Sequence, residues 1–162
     1  MGLSPRFKIA LVSPFPDISN FGLRTLSALL RQEGYATQML FLPDYSGEGQ
    51  LAAGSLPRER YAPRVVEAFL ALIGDAQLVG FSVMTHYFDA ARQLSEAVRQ
   101  RYPDKKVIWG GFHPSARPGE CLEYADFVAQ GDGEELLLEL CASLVVGALD
   151  LHHVPALWWW RG

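Results

Sequence analysis

Phe7-Lys8-Ile9-Ala10-Leu11-Val12-Ser13-Pro14-Phe15-Pro16-Asp17-Ile18-Ser19-Asn20-Phe21-Gly22 is the stretch that sets the fold. Its first half is a short apolar run closed by Pro14 and Pro16, which reads as a buried strand. Its second half is a polar loop that runs into Leu23, Leu26 and Leu30, leucines at helical spacing, with Gly34 placed to end the helix. Strand, loop and helix in that order open a β-α-β unit.

The alternation repeats along the chain. Residues 37–42 read as a second strand, ended by Pro43-Asp44. Residues 44–63, with Gly47, Gly49, Gly54, Pro57 and Pro63, read as a long irregular loop. A helix over 64–73, a strand over 78–83 and a helix over 88–101 follow; Phe88, Ala91, Leu94 and Val98 form the apolar stripe of the last. A strand over 106–109 is stopped by Gly110-Gly111. A short helix around 119–124, a strand over 127–130 and a helix over 134–146 complete the pattern. This predicts an α/β, flavodoxin-like (Rossmann-like) three-layer sandwich with a five-stranded parallel sheet in the order 2-1-3-4-5.

Composition narrows the class. With 162 residues and 49% hydrophobic content, the chain has the length and the apolar mass for one core. A net charge of -4 with scattered basic residues leaves no footprint for nucleic acid. No apolar run approaches the ~20 residues of a membrane span, and the first is too short for a signal core. A cytoplasmic location, with neither nucleic acid nor membrane as partner, is the expectation. Cys121 and Cys141 lie far apart and read as two buried thiols rather than a disulfide framework.

In a parallel sheet of this kind ligands bind beyond the carboxyl ends of the strands. The loops there are rich in glycine, hydroxyl and small polar residues. They are Asp17-Ile18-Ser19-Asn20-Phe21-Gly22 after the first strand, Ser82-Val83-Met84-Thr85 after the third, Gly110-Gly111-Phe112-His113-Pro114-Ser115-Ala116-Arg117-Pro118 after the fourth, and Gly131-Asp132-Gly133-Glu134 after the fifth. Paired glycines let a ligand approach the backbone. Other chemistries lack their residues: no Gly-x-Gly-x-x-Gly follows the first strand, and Gly80-Phe81-Ser82-Val83-Met84 lacks the second glycine of a hydrolase elbow. His86 reads as a loop histidine, His113 as a surface histidine capping the short helix, and the adjacent His152-His153 as a poor metal pair. Trp158-Trp159-Trp160 reads as a contact surface for a following domain.

From residue 7 to 146 the chain resembles a cobalamin-binding domain, most closely the N-terminal domain of B12-dependent radical SAM enzymes. The first loop has the frame Asp-x-His-x-x-Gly, with Ser19 in the histidine's place. The others resemble Ser-x-Leu-x-Thr (Met84 for leucine), Gly-Gly-x-His-x-(Ser/Thr)-x-x-Pro and Gly-(Glu/Asp)-Gly-Glu. The resemblance implies cobalamin as cofactor. Ser82, Thr85, Gly110 and Gly111 would line the pocket for its nucleotide tail. Asp17, Ser19 and Gly22 would lie under the corrin, while Gly131, Gly133 and Glu134 would approach tail or ring. Met84 and His113, in the same motifs, complete the candidate set. A serine hydroxyl is a poor neutral ligand, so the expectation is base-off cobalamin without histidine ligation, and no metal-ligating residue in this chain.

No Cys-x-x-x-Cys-x-x-Cys occurs. The resemblance therefore implies a [4Fe-4S] cluster and S-adenosylmethionine bound outside this chain, in a C-terminal radical SAM domain of a parent methyltransferase or cyclase-like enzyme. Residues 1–150 are the expected cobalamin-binding domain; 151–162, with Val154-Pro155-Ala156-Leu157, are the expected linker or start of the next domain, and the chain alone is expected to bind without turnover. The competing reading is a stand-alone flavodoxin-like module that binds a nucleotide or a protein without any corrinoid.

Overall fold

The computed structural model describes residues 7–43, 61–147 and 151–160; residues 44–60 of the expected loop fall outside them. Five strands run parallel: β1 (Lys8–Ser13), β2 (Ala36–Phe41), β3 (Leu78–Ser82), β4 (Lys106–Gly110) and β5 (Phe127–Ala129). A sixth, β6 (Leu157–Trp159), joins antiparallel to β5, giving the order β2-β1-β3-β4-β5-β6. The expected five-stranded order is present, and the sheet is one strand wider.

The tryptophan segment is that extra edge. Trp158 Nε1 donates to Gln130 Oε1 at 3.0 Å, and Trp160 Nε1 donates to the Leu122 carbonyl at 3.0 Å. Leu151, Val154 and Leu157 are buried beside them. Three residues of strand carry no readable period, so only pairing with β5 reveals the element.

The helices are α1 (Phe21–Gln32), α2 (Pro63–Leu72), α3 (Phe88–Arg101), α4 (Phe112–Ala116), α5 (Pro118–Cys121) and α6 (Glu134–Val146). The single short helix expected around 119–124 is instead this α4–α5 pair, broken where Pro118 starts a new first turn. Asn20 caps α1, its Oδ1 accepting from Leu23 N at 3.1 Å. Gly147, at φ +68°, closes α6 in the left-handed conformation.

Strand alternation sends side chains to two cores. Val79, Phe81, Val107, Trp109 and Val128 meet α2, α3 and α5 on one face. Ile9, Leu11, Leu78, Ile108 and Ala129 meet α1 and α6 on the other. Cys121 lies in the first core and Cys141 in the second, both as free buried thiols. Burial pushes each up to about 12, with Glu120 adding to the effect at Cys121. Among the described residues no helix is long and apolar enough to cross a membrane.

Candidate functional site

At the carboxyl edge the second core is left open. A groove of about 460 Å³ lies between the sheet, α1 and the start of α6. Its floor is Leu11, Gly80, Ile108 and Ala129, side by side in the register Leu11↔Gly80↔Ile108. Leu23 and Leu26 of α1 form one wall, Leu136 and Leu137 of α6 the other. Its rim is Ser82, Gly110, Gly111, Ser115 and the turn Gly131-Asp132-Gly133 leading to Glu134.

Small residues keep this space open. A Cβ on Gly80 would lie 3.4 Å from both Ile108 Cγ2 and Leu11 Cδ2, so anything larger would grow into the groove. A Cβ on Gly110 would meet only Ala129 Cβ, at 3.6 Å. Gly111 serves a different purpose. It sits at φ +102°, and a Cβ there would come within 3.1 and 3.2 Å of the backbone N and O of Val83. Val83 N donates to the Gly110 carbonyl at 2.8 Å, and His113 N donates to the Val83 carbonyl at 3.1 Å. Gly111 thus lets the loops after β3 and β4 cross at backbone contact.

Ser115 ties the rim together. Its hydroxyl donates to the Gly111 carbonyl at 2.7 Å and accepts from Gly131 N at 3.0 Å. Gln130 Nε2 donates to the Ser115 carbonyl at 3.1 Å and, through its oxygen, holds Trp158. The loops after β4 and β5 and the edge strand are therefore one hydrogen-bonded unit. On the opposite rim, Asn20 Nδ2 reaches Ser82 Oγ at 3.5 Å, linking the cap of α1 to the end of β3.

Of the candidate residues, Gly22, Ser82, Gly110, Gly111, Gly131, Gly133 and Glu134 come together on the groove. Asp17, Ser19, Met84 and Thr85 are exposed on the same edge but do not line it. Asp17 Oδ1 accepts from Ser19 N at 2.9 Å, so the first loop is held as an Asx turn. His113 is the correction: expected on the surface, it is 7% exposed and turned into the opposite core. Its ring packs on Phe88 at 4.8 Å, and its Nδ1 lies 3.2 Å from Thr85 Oγ1. Its Nε2 has no hydrogen-bond partner and stands 3.8 Å from the Glu120 carboxylate.

Sequence reading missed Gly80, whose signal was available: an isolated glycine inside a strand marks a close approach. Asp132 and Ser115 sit in quoted loops and line the groove without having been assigned to it. Around the mouth, Ile18, Phe21, Met84 and Phe112 are exposed, Phe21 at 83% and Phe112 at 80%. No cluster of three or more His, Cys, Asp or Glu side chains that could hold a metal occurs among the described residues.

In an open parallel sheet the carboxyl edge, where this groove lies, is where ligands usually bind. The family model described as B12 binding domain matches residues 7–141. The chain belongs to the B12-binding domain family. As a B12-binding domain it is similar to the cobalamin-dependent radical SAM methyltransferase TokK of Streptomyces tokunonensis, with 31% identity over 86 residues, 51% of this chain and 13% of that protein. It is also similar to the 2-(S-pantetheinyl)-carbapenam-3-carboxylate methyltransferase of Streptantibioticus cattleyicolor, with 28% identity over 93 residues, 56% of this chain and 14% of that protein. The match therefore spans only about an eighth to a seventh of these relatives. Its fold is that of a chain in the methanol:cobalamin methyltransferase complex MtaBC of Methanosarcina barkeri, with TM-score 0.55 and 17% identity, covering 87% of this chain and 49% of that one.

The groove has room for one end of a B12 cofactor, such as its nucleotide tail, and not for the corrin ring as well. Its volume lies within the roughly 300–1,000 Å³ usual for small-molecule sites. Gly80 and Gly110 leave free the space that side chains would fill.

Proposed function

We propose that this B12-binding domain holds cobalamin base-off, its nucleotide tail in the groove, with no histidine from this chain beneath the cobalt. The observation that carries the reading is the apolar slot that Gly80 and Gly110 keep open beside the rim of Ser82 and Gly111. Ser19 stands where the family's frame has histidine, in an exposed turn braced by Asp17. His113 is committed to the opposite core. The exposed apolar side chains at the mouth offer the underside of a corrin a water-excluding platform.

The cofactor would supply a metal centre able to accept a methyl group and pass it on. This chain's residues bind and orient it, and its loops withhold a strong axial donor. Both similar proteins are named methyltransferases and one a radical SAM methyltransferase, which supports a place in such an enzyme. S-adenosylmethionine and a [4Fe-4S] cluster would then be held in a C-terminal domain outside this chain. In that arrangement residues 1–150 carry the groove, and the stretch from residue 151, packed on the sheet edge through β6, leads toward the next domain.

The test is direct. Incubated with hydroxocobalamin and desalted, the chain should keep corrin absorbance with a base-off spectrum. Reduced to the cobalt(II) state, the bound cofactor should show no nitrogen splitting from an axial ligand in its paramagnetic resonance signal. A colourless protein after desalting would favour the corrinoid-free module. Nitrogen splitting would put an axial nitrogen on the lower face, the cofactor's own base where the spectrum is base-on and a histidine where it is base-off.

A further inference from the structure

We infer that the groove selects the base of the cofactor's tail: it takes a benzimidazole and discriminates against a purine. The inference rests on the proposed tail-in-groove reading and deepens it. Every floor and wall residue is apolar or a glycine: Leu11, Gly80, Ile108, Ala129, and the paired leucines of α1 and α6. The sheet's backbone groups beneath are committed to the ladder, as the β1–β3 and β3–β4 registers require. Polar side chains occur only at the rim, in Ser82, Ser115, Asp132 and Glu134. Ser115 is already occupied by Gly111 and Gly131. Ser82 accepts from Asn20 and keeps its own proton for a ligand acceptor.

That distribution matches one base chemistry. Dimethylbenzimidazole, linked to ribose through one nitrogen, has a single ring nitrogen left, and the rest of its surface is hydrocarbon. Adenine in the same position carries an exocyclic amine and further ring nitrogens. In a slot with no donors or acceptors at depth these groups lose their water and gain nothing, which is costly. A hydrophobic pocket rejects such a polar near-isostere by roughly ten- to hundredfold. Discrimination here comes from what the floor lacks.

Three corrinoids test this by equilibrium binding: cobalamin, an adenine-tailed cobamide, and cobinamide, which has no nucleotide tail. The expected order is cobalamin tightest, with the adenine-tailed form about tenfold or more weaker and closer to cobinamide. In Gly110→Leu, whose side chain grows into the groove, cobalamin should lose most of its advantage over cobinamide. Circular dichroism and the melting transition check that the variant is folded, and Gly80→Leu gives a second, independent plug should it not be. Equal binding of the two tailed corrinoids, both tighter than cobinamide, would overturn the base selectivity and leave the tail-in-groove reading standing. Equal binding of cobinamide and cobalamin would overturn both the selectivity and the tail's place in the groove. Binding of none of the three would overturn the cobalamin reading itself.

Discussion

The two faces of the sheet are built from alternate residues of the same strands, yet one is filled and the other is not. On β3, Val79 and Phe81 point to the α2–α3 side while Gly80 points to the α1–α6 side. On β4, Trp109 is followed by Gly110. The α2–α3 face is closed by aromatic packing: Trp109 lies against Tyr124 at 5.9 Å and Phe88 at 5.6 Å, and its Nε1 donates to Ser95 Oγ at 2.8 Å. The α1–α6 face keeps a groove at its carboxyl end. A sheet can hold a ligand slot at little cost to rigidity when its other face is packed this tightly. Stability and binding then sit one residue apart along the chain.

The sharpest way to break this contrast is Trp109→Ala. The side chain is fully buried and its loss would leave a large cavity and an unpartnered Ser95. Destabilisation of about 3–5 kcal/mol is expected in denaturant unfolding. A loss under about 1 kcal/mol would mean that the closed face is not what steadies the open one. Gly111→Ala comes next. It forces a Cβ against the Val83 backbone at a positive φ, so about 1–3 kcal/mol is expected from the same measurement. If Gly111→Ala were neutral in stability and impaired only cofactor retention, Gly111 would belong to the ligand rather than to the loop crossing.

Much of this was legible in sequence, for identifiable reasons. The bounds of α3 and α6 were readable as 88–101 and 134–146 because each shows a periodic or continuous apolar run with clear signals at its ends, including Gly147 after α6. β6 was not, since an edge strand of three residues exists only through its partner, and Trp158-Trp159-Trp160 read as a contact surface for a following domain. Rim glycines announced themselves because a backbone requirement leaves a mark on residue type. Groove walls did not: Leu23, Leu26, Leu136 and Leu137 read as ordinary core leucines until the floor beneath proved small. His113 was misread because a polar residue after Gly110-Gly111 suggests exposure, whereas the Gly111 turn sends its ring under Phe88.

The two cysteines offer the mildest probe of the same comparison, one thiol in each face. Cys121 belongs to the closed face and Cys141 to the α1–α6 core beneath the groove, and burial holds both near 12 against an ordinary 9.0. A raised folded value means that the unfolded chain releases these protons first. Stability should therefore be intact below about pH 9 and fall as pH rises from 9 toward 12, by about 1 kcal/mol per thiol at pH 10. Thermal melts from pH 8 to pH 10.5 should show this decline, and Cys141→Ala should flatten it by about as much as Cys121→Ala. Equal flattening means that the groove stops above Cys141 and the core beneath it is as dry as the closed face. If only Cys121→Ala changes the slope, and Cys141 reacts freely with a maleimide in the native protein, water from the groove reaches the floor of that core, and the two faces differ in packing along their whole length rather than at the carboxyl edge alone.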